Sequence, residues 1–161
     1  MIDKTEFVRV IQENGGLIYK ISKLYTDRRE DEQDLYQETV YQLWKSFDSF
    51  RNESKISTWI YRIALNTAIA YLNKEKRRGR TQPINDLILN RMDSNDQIRD
   101  DRYETLYSHI RKLNTIEKGI ILLYLEGKSY EEMALITGFT STNIGTRLAR
   151  IKQKMITQIK K

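Results

Sequence analysis

Residues 129–152 read SYEEMALITGFTSTNIGTRLARIK, and beyond Glu132 no further acidic residue occurs through Lys161. Met133, Ala134 and Ile136 are apolar, Gly138 interrupts, and Ile144, Leu148 and Ile151 resume the apolar pattern at i, i+4 and i+7. That spacing covers one face of a helix, and a glycine between two such runs marks a tight turn. The stretch therefore predicts two short amphipathic helices joined by a turn. In a helix–turn–helix the second helix enters the major groove of DNA, and residues at its start meet base edges. Here that start is Thr140, Ser141, Thr142 and Asn143, short hydrogen-bonding side chains beside helical N–H groups that favour phosphate. Thr146, Arg147 and Arg150 follow along the helix, with both arginines away from the apolar seam. A helical hairpin with a merely solvated basic face would show the same spacing. The segment from Met133 to Lys161, with six bases and no acid, weighs toward DNA.

Upstream of this pair, Asn114-Thr115 can cap a helix whose apolar face is Ile116, Ile120, Leu123 and Tyr124, with Gly127 placed to end it. Leu106, Ile110 and Leu113 form the stripe of a helix before that, which completes a four-helix unit beginning near Arg102. Between Thr81 and Asp101 the periodicity weakens, Pro83 appears, and five aspartates stand against two arginines. This reads as a linker, although Ile84, Leu87, Ile88 and Leu89 are too apolar for a plain spacer and suit docking. Residues 3–26 predict one or two helices interrupted near Gly15-Gly16, with Val8, Ile11, Leu17, Ile18, Ile21 and Leu24 as the stripe. Tyr36, Val40, Leu43, Trp44 and Phe47 mark an amphipathic helix of roughly fifteen residues. After the polar stretch DSFRNESK, Ser57 or Thr58 can cap a further helix with Ile60, Ile63, Ala64, Thr67 and Tyr71 on its buried side. The expected fold is all-α. Two small helical domains, residues 1–80 and 102–161, are joined by a flexible acidic linker, 81–101.

Composition narrows the function. The chain has 161 residues with one proline and seven glycines, which favours helices throughout. It has no cysteine and one histidine, so disulfides and the usual metal and nucleophile constellations cannot be assembled. There is no glycine-rich phosphate loop. Neither an enzyme nor a bound cofactor or metal is expected, and His109 is given no role. No apolar run approaches a membrane span and no signal-peptide core opens the chain, so it is expected in the cytoplasm, with no membrane insertion. A net charge of +6 suits a polyanionic partner.

The charges are arranged in blocks. Residues 27–38, DRREDEQDLYQE, hold six acids against two arginines. Asp31, Asp34 and Glu38 fall at i, i+3 and i+7 with Gln37 beside them, opposite Tyr36, Val40 and Trp44. A paired-carboxylate enzyme or a divalent metal site would be the sharper reading, but like charges at helical spacing with no histidine nearby ordinarily mark a solvated or protein-docking face. Because acids repel DNA, a basic protein surface is the simplest occupant. Further on, Trp59, Arg62 and Asn66 fall at i, i+3 and i+7 and lead into KEKRRGR, residues 74–80. Trp59 fits a core position. An aromatic, a guanidinium and an amide on one stripe also suit an unstacked base, with the basic run along its backbone.

Taken in order, DEQDLYQETVYQLWKSFDSF, STWIYRIALNTAIAYLNKEKRR and KLNTIEKGIILLYLEGKSYEEMALITGFTSTNIGTRLARIK resemble a bacterial RNA polymerase sigma factor of the extracytoplasmic-function (ECF) type. The first two look like the family's region two and the third like its region four, over nearly the whole chain. The resemblance implies a transcription initiation factor that brings core RNA polymerase to promoter DNA. It implies that Asp31, Asp34, Gln37 and Glu38 dock on the clamp coiled coil of the polymerase's largest subunit. It assigns Trp59, Arg62, Asn66, Lys74, Lys76, Arg77 and Arg78 to the −10 element. Ser141, Thr142, Asn143, Thr146, Arg147 and Arg150 fall to the −35 element. A separate anti-sigma factor is implied as the source of control, since no sensing extension follows Lys161. Gly145 departs from the family, where relatives carry longer, often basic side chains, so a DNA contact is expected to be missing there. The rival readings are a stand-alone, dimeric helix–turn–helix regulator and a DNA-cutting recombinase. The first leaves the acidic and Trp59 stripes without a purpose; the second lacks a catalytic cluster.

Overall fold

The computed structural model describes residues 4–50, 55–77 and 101–159, the side chains of 101–104 excepted. The chain divides into two compact units, Met1–Asn95 and Asp96–Lys161. The described residues are helical apart from short connections. The linker expectations for Ile84, Leu87, Ile88 and Leu89 and the assignment of Arg78 fall outside them.

In the first unit α1 spans Lys4–Leu24, α2 Arg29–Ser46 and α3 Ile56–Arg77, with a short 3₁₀ turn at Phe47–Ser49. Each of the three helices packs on the other two. Phe7, Val10, Ile18, Leu43 and Ile60 form one buried cluster, flanked by half-buried Tyr36, Val40, Trp44, Phe47 and Trp59. Helix α1 runs unbroken through Gly15-Gly16, contrary to the interruption expected there. A helical glycine costs up to about 1 kcal/mol relative to alanine, and packing on both sides of it outweighs that sum. Gly15 also has a use: a Cβ there would lie 3.3 Å from the Tyr36 hydroxyl oxygen.

One further expectation is extended and another corrected. The expected stripe packs on the core, with Leu43 fully buried and Tyr36, Val40, Trp44 and Phe47 half-buried, but the fully buried ridge of α2 also takes in Leu35 and Thr39, which the spacing omits. Thr39 can occupy it because its hydroxyl donates to the Leu35 carbonyl at 2.8 Å, leaving no buried donor unpaired. Helix α3 begins at Ile56, and the Trp59 N–H already bonds the Lys55 carbonyl at 3.2 Å. Ser57 and Thr58 therefore lie inside the first turn rather than capping it, and Thr58 is buried.

The second unit holds α4 (Asp101–Arg111), α5 (Thr115–Leu125), α6 (Tyr130–Thr137) and α7 (Ser141–Ile159). Asn114 and Glu117 form a reciprocal capping box at the start of α5. Gly127, at φ 80°, closes it: the Gly127 N–H bonds Tyr124 O at 3.0 Å and the Lys128 N–H bonds Leu123 O at 3.1 Å. This is a Schellman ending, which needs a left-handed residue where glycine carries no Cβ penalty. Because α4, α6 and α7 all pack on α5, it buries Gly119 and the run Ile120–Leu123. Ile116 and Tyr124, expected on the core face, are 43% and 39% exposed. Tyr124 instead lies under the Lys152 ammonium, 4.1 Å from the ring centre.

Candidate functional site

The helix–turn–helix is built by local chemistry. The Ser129 hydroxyl oxygen accepts the Glu132 N–H to open α6. Gly138, at φ 86°, ends it, with its N–H on Ala134 O at 2.8 Å. The turn is Gly138-Phe139-Thr140, and the Thr140 hydroxyl oxygen accepts the Asn143 N–H at 3.1 Å to open α7. Met133 and Ile136 on α6 and Ile144, Leu148, Ile151 and Met155 on α7 are buried. That seam leaves Thr142, Asn143, Thr146 and Arg150 exposed and Ser141 half-buried. The Thr146 hydroxyl donates to the Thr142 carbonyl at 3.2 Å, so its oxygen remains to accept.

Arg147 is not a free arm. Its Nε–H donates to Asn143 Oδ1 at 2.6 Å, and its guanidinium carbon sits 4.3 Å from the centre of the Phe139 ring. Spacing alone does not single out Phe139, because a residue in the turn bears no helical spacing to Arg147. Gly145 lies beside the start of α6. It is half-buried, and a Cβ there would meet the Tyr130 ring at 3.4 Å, so its missing side chain lies toward α6.

On α3, Arg62 and Asn66 are exposed, whereas Trp59 is half-buried. Its ring centre is 6.0 Å from that of Phe47 and 5.0 Å from that of Phe50, so it forms the margin of the aromatic core. Lys74, Lys76 and Arg77 are exposed in the last turns of the helix, where cations also complement the helix dipole.

On α2, Asp34, Gln37 and Glu38 are exposed, and Glu38 Oε1 accepts from the Gln42 amide at 2.9 Å. Asp31 is set apart from them. It lies one turn before Leu35 on the buried ridge, and its Oδ1 accepts from the Tyr71 hydroxyl at 3.4 Å. Burial raises its pKa above the ordinary carboxylate value; Glu75 and Asp34 push the same way, while the Tyr71 bond and Arg28 oppose them. The outward acidic stripe is therefore Asp34, Gln37 and Glu38, with Asp31 at its inner edge. Among the described residues no group of three or more His, Asp or Glu could hold a metal ion. No described helix is long and apolar enough to cross a membrane.

Residues 10–78 match the family described as Sigma-70 region 2, and residues 103–155 match Sigma-70, region 4. The chain is 30% identical over 159 residues to RNA polymerase sigma factor SigV of Bacillus subtilis (strain 168), covering 98% of this chain and 93% of that protein. It is 31% identical over 169 residues to the ECF RNA polymerase sigma-E factor of Haemophilus influenzae, covering 98% of this chain and 89% of that protein. Among solved structures it is similar to the sigma factor RpoE in complex with the anti-sigma factor NepR from Bartonella quintana. That likeness has a TM-score of 0.71 at 20% identity, covers 98% of this chain and 96% of the other, and speaks for the fold.

Proposed function

The chain belongs to the bacterial RNA polymerase sigma factors of the ECF type, and we propose how its surfaces divide the work of starting transcription. Residues 1–80 act as region two, 81–101 as linker and 102–161 as region four. Asp34, Gln37 and Glu38, with Asp31 at their edge, dock on the clamp coiled coil of the polymerase's largest subunit. Trp59, Arg62 and Asn66 receive an unstacked base of the −10 element, with Lys74, Lys76, Arg77 and Arg78 along its backbone. Ser141, Thr142, Asn143, Thr146, Arg147 and Arg150 meet the −35 element. The observation that carries this division is the segregation of charge by helix. Helix α2 begins with Glu30, Asp31 and Glu32, whereas α7 contains no acid at all. One chain thus offers a protein with a basic surface one face and DNA another.

The factor works by binding, not by catalysis, in the cytoplasm, and an anti-sigma factor controls its release to the polymerase. Its effect on initiation is to hold the polymerase at two DNA elements and to offset the cost of opening the nearer one. A stand-alone regulator would have no need of core polymerase. The deciding experiment adds the purified chain to core polymerase on promoter templates. Promoter-specific transcripts that require both components are expected; their absence on every template bound by the mixture would reject the reading.

A further inference from the structure

We propose that Phe139 is a positioning residue for base recognition: with Asn143 it holds Arg147 as a donor-only fork that selects an acceptor-rich base edge. The inference rests on the reading that the start of α7 faces the −35 element. An arginine on a helix surface samples many rotamers, and fixing them on binding costs affinity unless the arm is already arranged. Arg147 is arranged from two sides. The centre of the Phe139 ring lies 4.3 Å from its guanidinium carbon, and Asn143 Oδ1 takes its Nε–H at 2.6 Å. The platform is itself pinned, since the Phe139 N–H donates to the Thr137 hydroxyl oxygen at 3.3 Å and Thr140 caps the helix through Asn143.

The arrangement changes what Asn143 can read. A bidentate asparagine–adenine pair needs the amide oxygen to accept from adenine N6. In this chain that oxygen already accepts from a charged donor on one of its two lone pairs, which orients it toward Arg147 and weakens it as an acceptor for adenine N6, while the amide N–H group and the terminal nitrogens of Arg147 stay available. These are all donors. Guanine offers N7 and O6 as neighbouring acceptors in the major groove, whereas adenine places a donor beside its acceptor. The pair thus favours guanine over adenine at one position. An unrestrained Asn143 would tolerate adenine.

The test uses holoenzyme reconstituted from core polymerase and the full chain, with promoters altered one base pair at a time across the −35 element. Arg147→Ala should lose discrimination at one guanine by roughly 5- to 150-fold, the span of a good arginine–guanine pair. Phe139→Leu should lose several-fold at that same base pair, with the salt dependence of binding unchanged, and Phe139→Tyr should restore it. Asn143→Ala, at an exposed position, should weaken the preference for guanine over adenine there, and it carries the test should Phe139→Leu not fold. Wild-type discrimination in folded Phe139→Leu, or in Asn143→Ala, would overturn the inference while leaving Arg147 its role. Sharper discrimination in Phe139→Leu would also overturn it, because the stack would then be a contact that DNA must break. If Arg147→Ala changes no position, the assignment of α7 to the −35 element falls and this inference with it.

Discussion

The Tyr71 hydroxyl near the end of α3 donates to Asp31 on the first turn of α2 across 3.4 Å, joining two residues forty positions apart. At that length the bond is weak, and it does not offset burial and the neighbouring Glu75 and Asp34, which together raise the Asp31 pKa from 3.8. Asp31 thus holds its proton more tightly in the folded chain than in the unfolded one. Stability from this group is fully present below about 3.8 and is lost as pH rises through the folded-state value. Asp31→Asn keeps an oxygen for Tyr71 and removes the charge. It should melt above the wild type at neutral pH, with the gap closing as the pH approaches 3.8. A variant that melts below the wild type at neutral pH would show that attraction to Arg28 outweighs burial. The same change should weaken binding to core polymerase if Asp31 borders the docking face.

The exposed members of the acidic stripe can be tested without disturbing the core. Asp34→Lys combined with Glu38→Lys alters two exposed positions of α2, so the far-UV circular dichroism should stay near that of the wild type. Co-purification with core polymerase should be abolished by the opposed charges. Undiminished binding by the folded double variant would remove the acidic stripe from the interface.

Gly145 offers a separation of stability from recognition. A methyl group there makes ordinary contact with the Tyr130 ring at 3.4 Å, in the interior of a nineteen-residue helix. Gly145→Ala should therefore stabilise the second unit by up to about 1 kcal/mol, the helix-propensity difference. Promoter discrimination should be unchanged. A lower melting temperature would show that α6 and α7 cannot accommodate the methyl group.

What could be read from the sequence was local, and what could not was set by packing partners. The turn at Gly138, the caps at Asn114 and the seam Ile144, Leu148 and Ile151 follow from chemistry within a few residues. The buried ridge of α2 is legible only at Leu43, because Thr39, a polar residue, sits in its middle and hides the link to Leu35. Helix α5 is apolar on most sides, so its periodicity could not say that Ile116 and Tyr124 face out. Gly15 reads as a helix break until the Tyr36 hydroxyl is seen beside it. The acidic and α3 stripes were legible as spacings. That Asp31 turns inward to Tyr71, and that Arg147 is held by Phe139, depend on contacts between separate elements.

The stripe on α3 separates a factor that opens DNA from a protein that only binds the duplex. Arg62 and Asn66 are exposed beside Trp59, whose ring lies at the margin of the core against Phe47 and Phe50. An extruded base needs a stacking surface and hydrogen bonds to the edge its partner has vacated. Unstacking costs a few kcal/mol per base, and stacking contacts of about 1–3 kcal/mol per base offset much of it. Asn66→Ala should assemble with core polymerase and occupy the promoter in the closed form, yet leave the −10 thymines unreactive to permanganate. Trp59→Ala should do the same and also lower the melting temperature of the first unit by removing two aromatic contacts. Asn66 makes the cleaner test because it is exposed, whereas Trp59 packs on Phe47 and Phe50. Wild-type permanganate reactivity in Asn66→Ala would leave the stripe as ordinary surface and move base capture elsewhere on the chain.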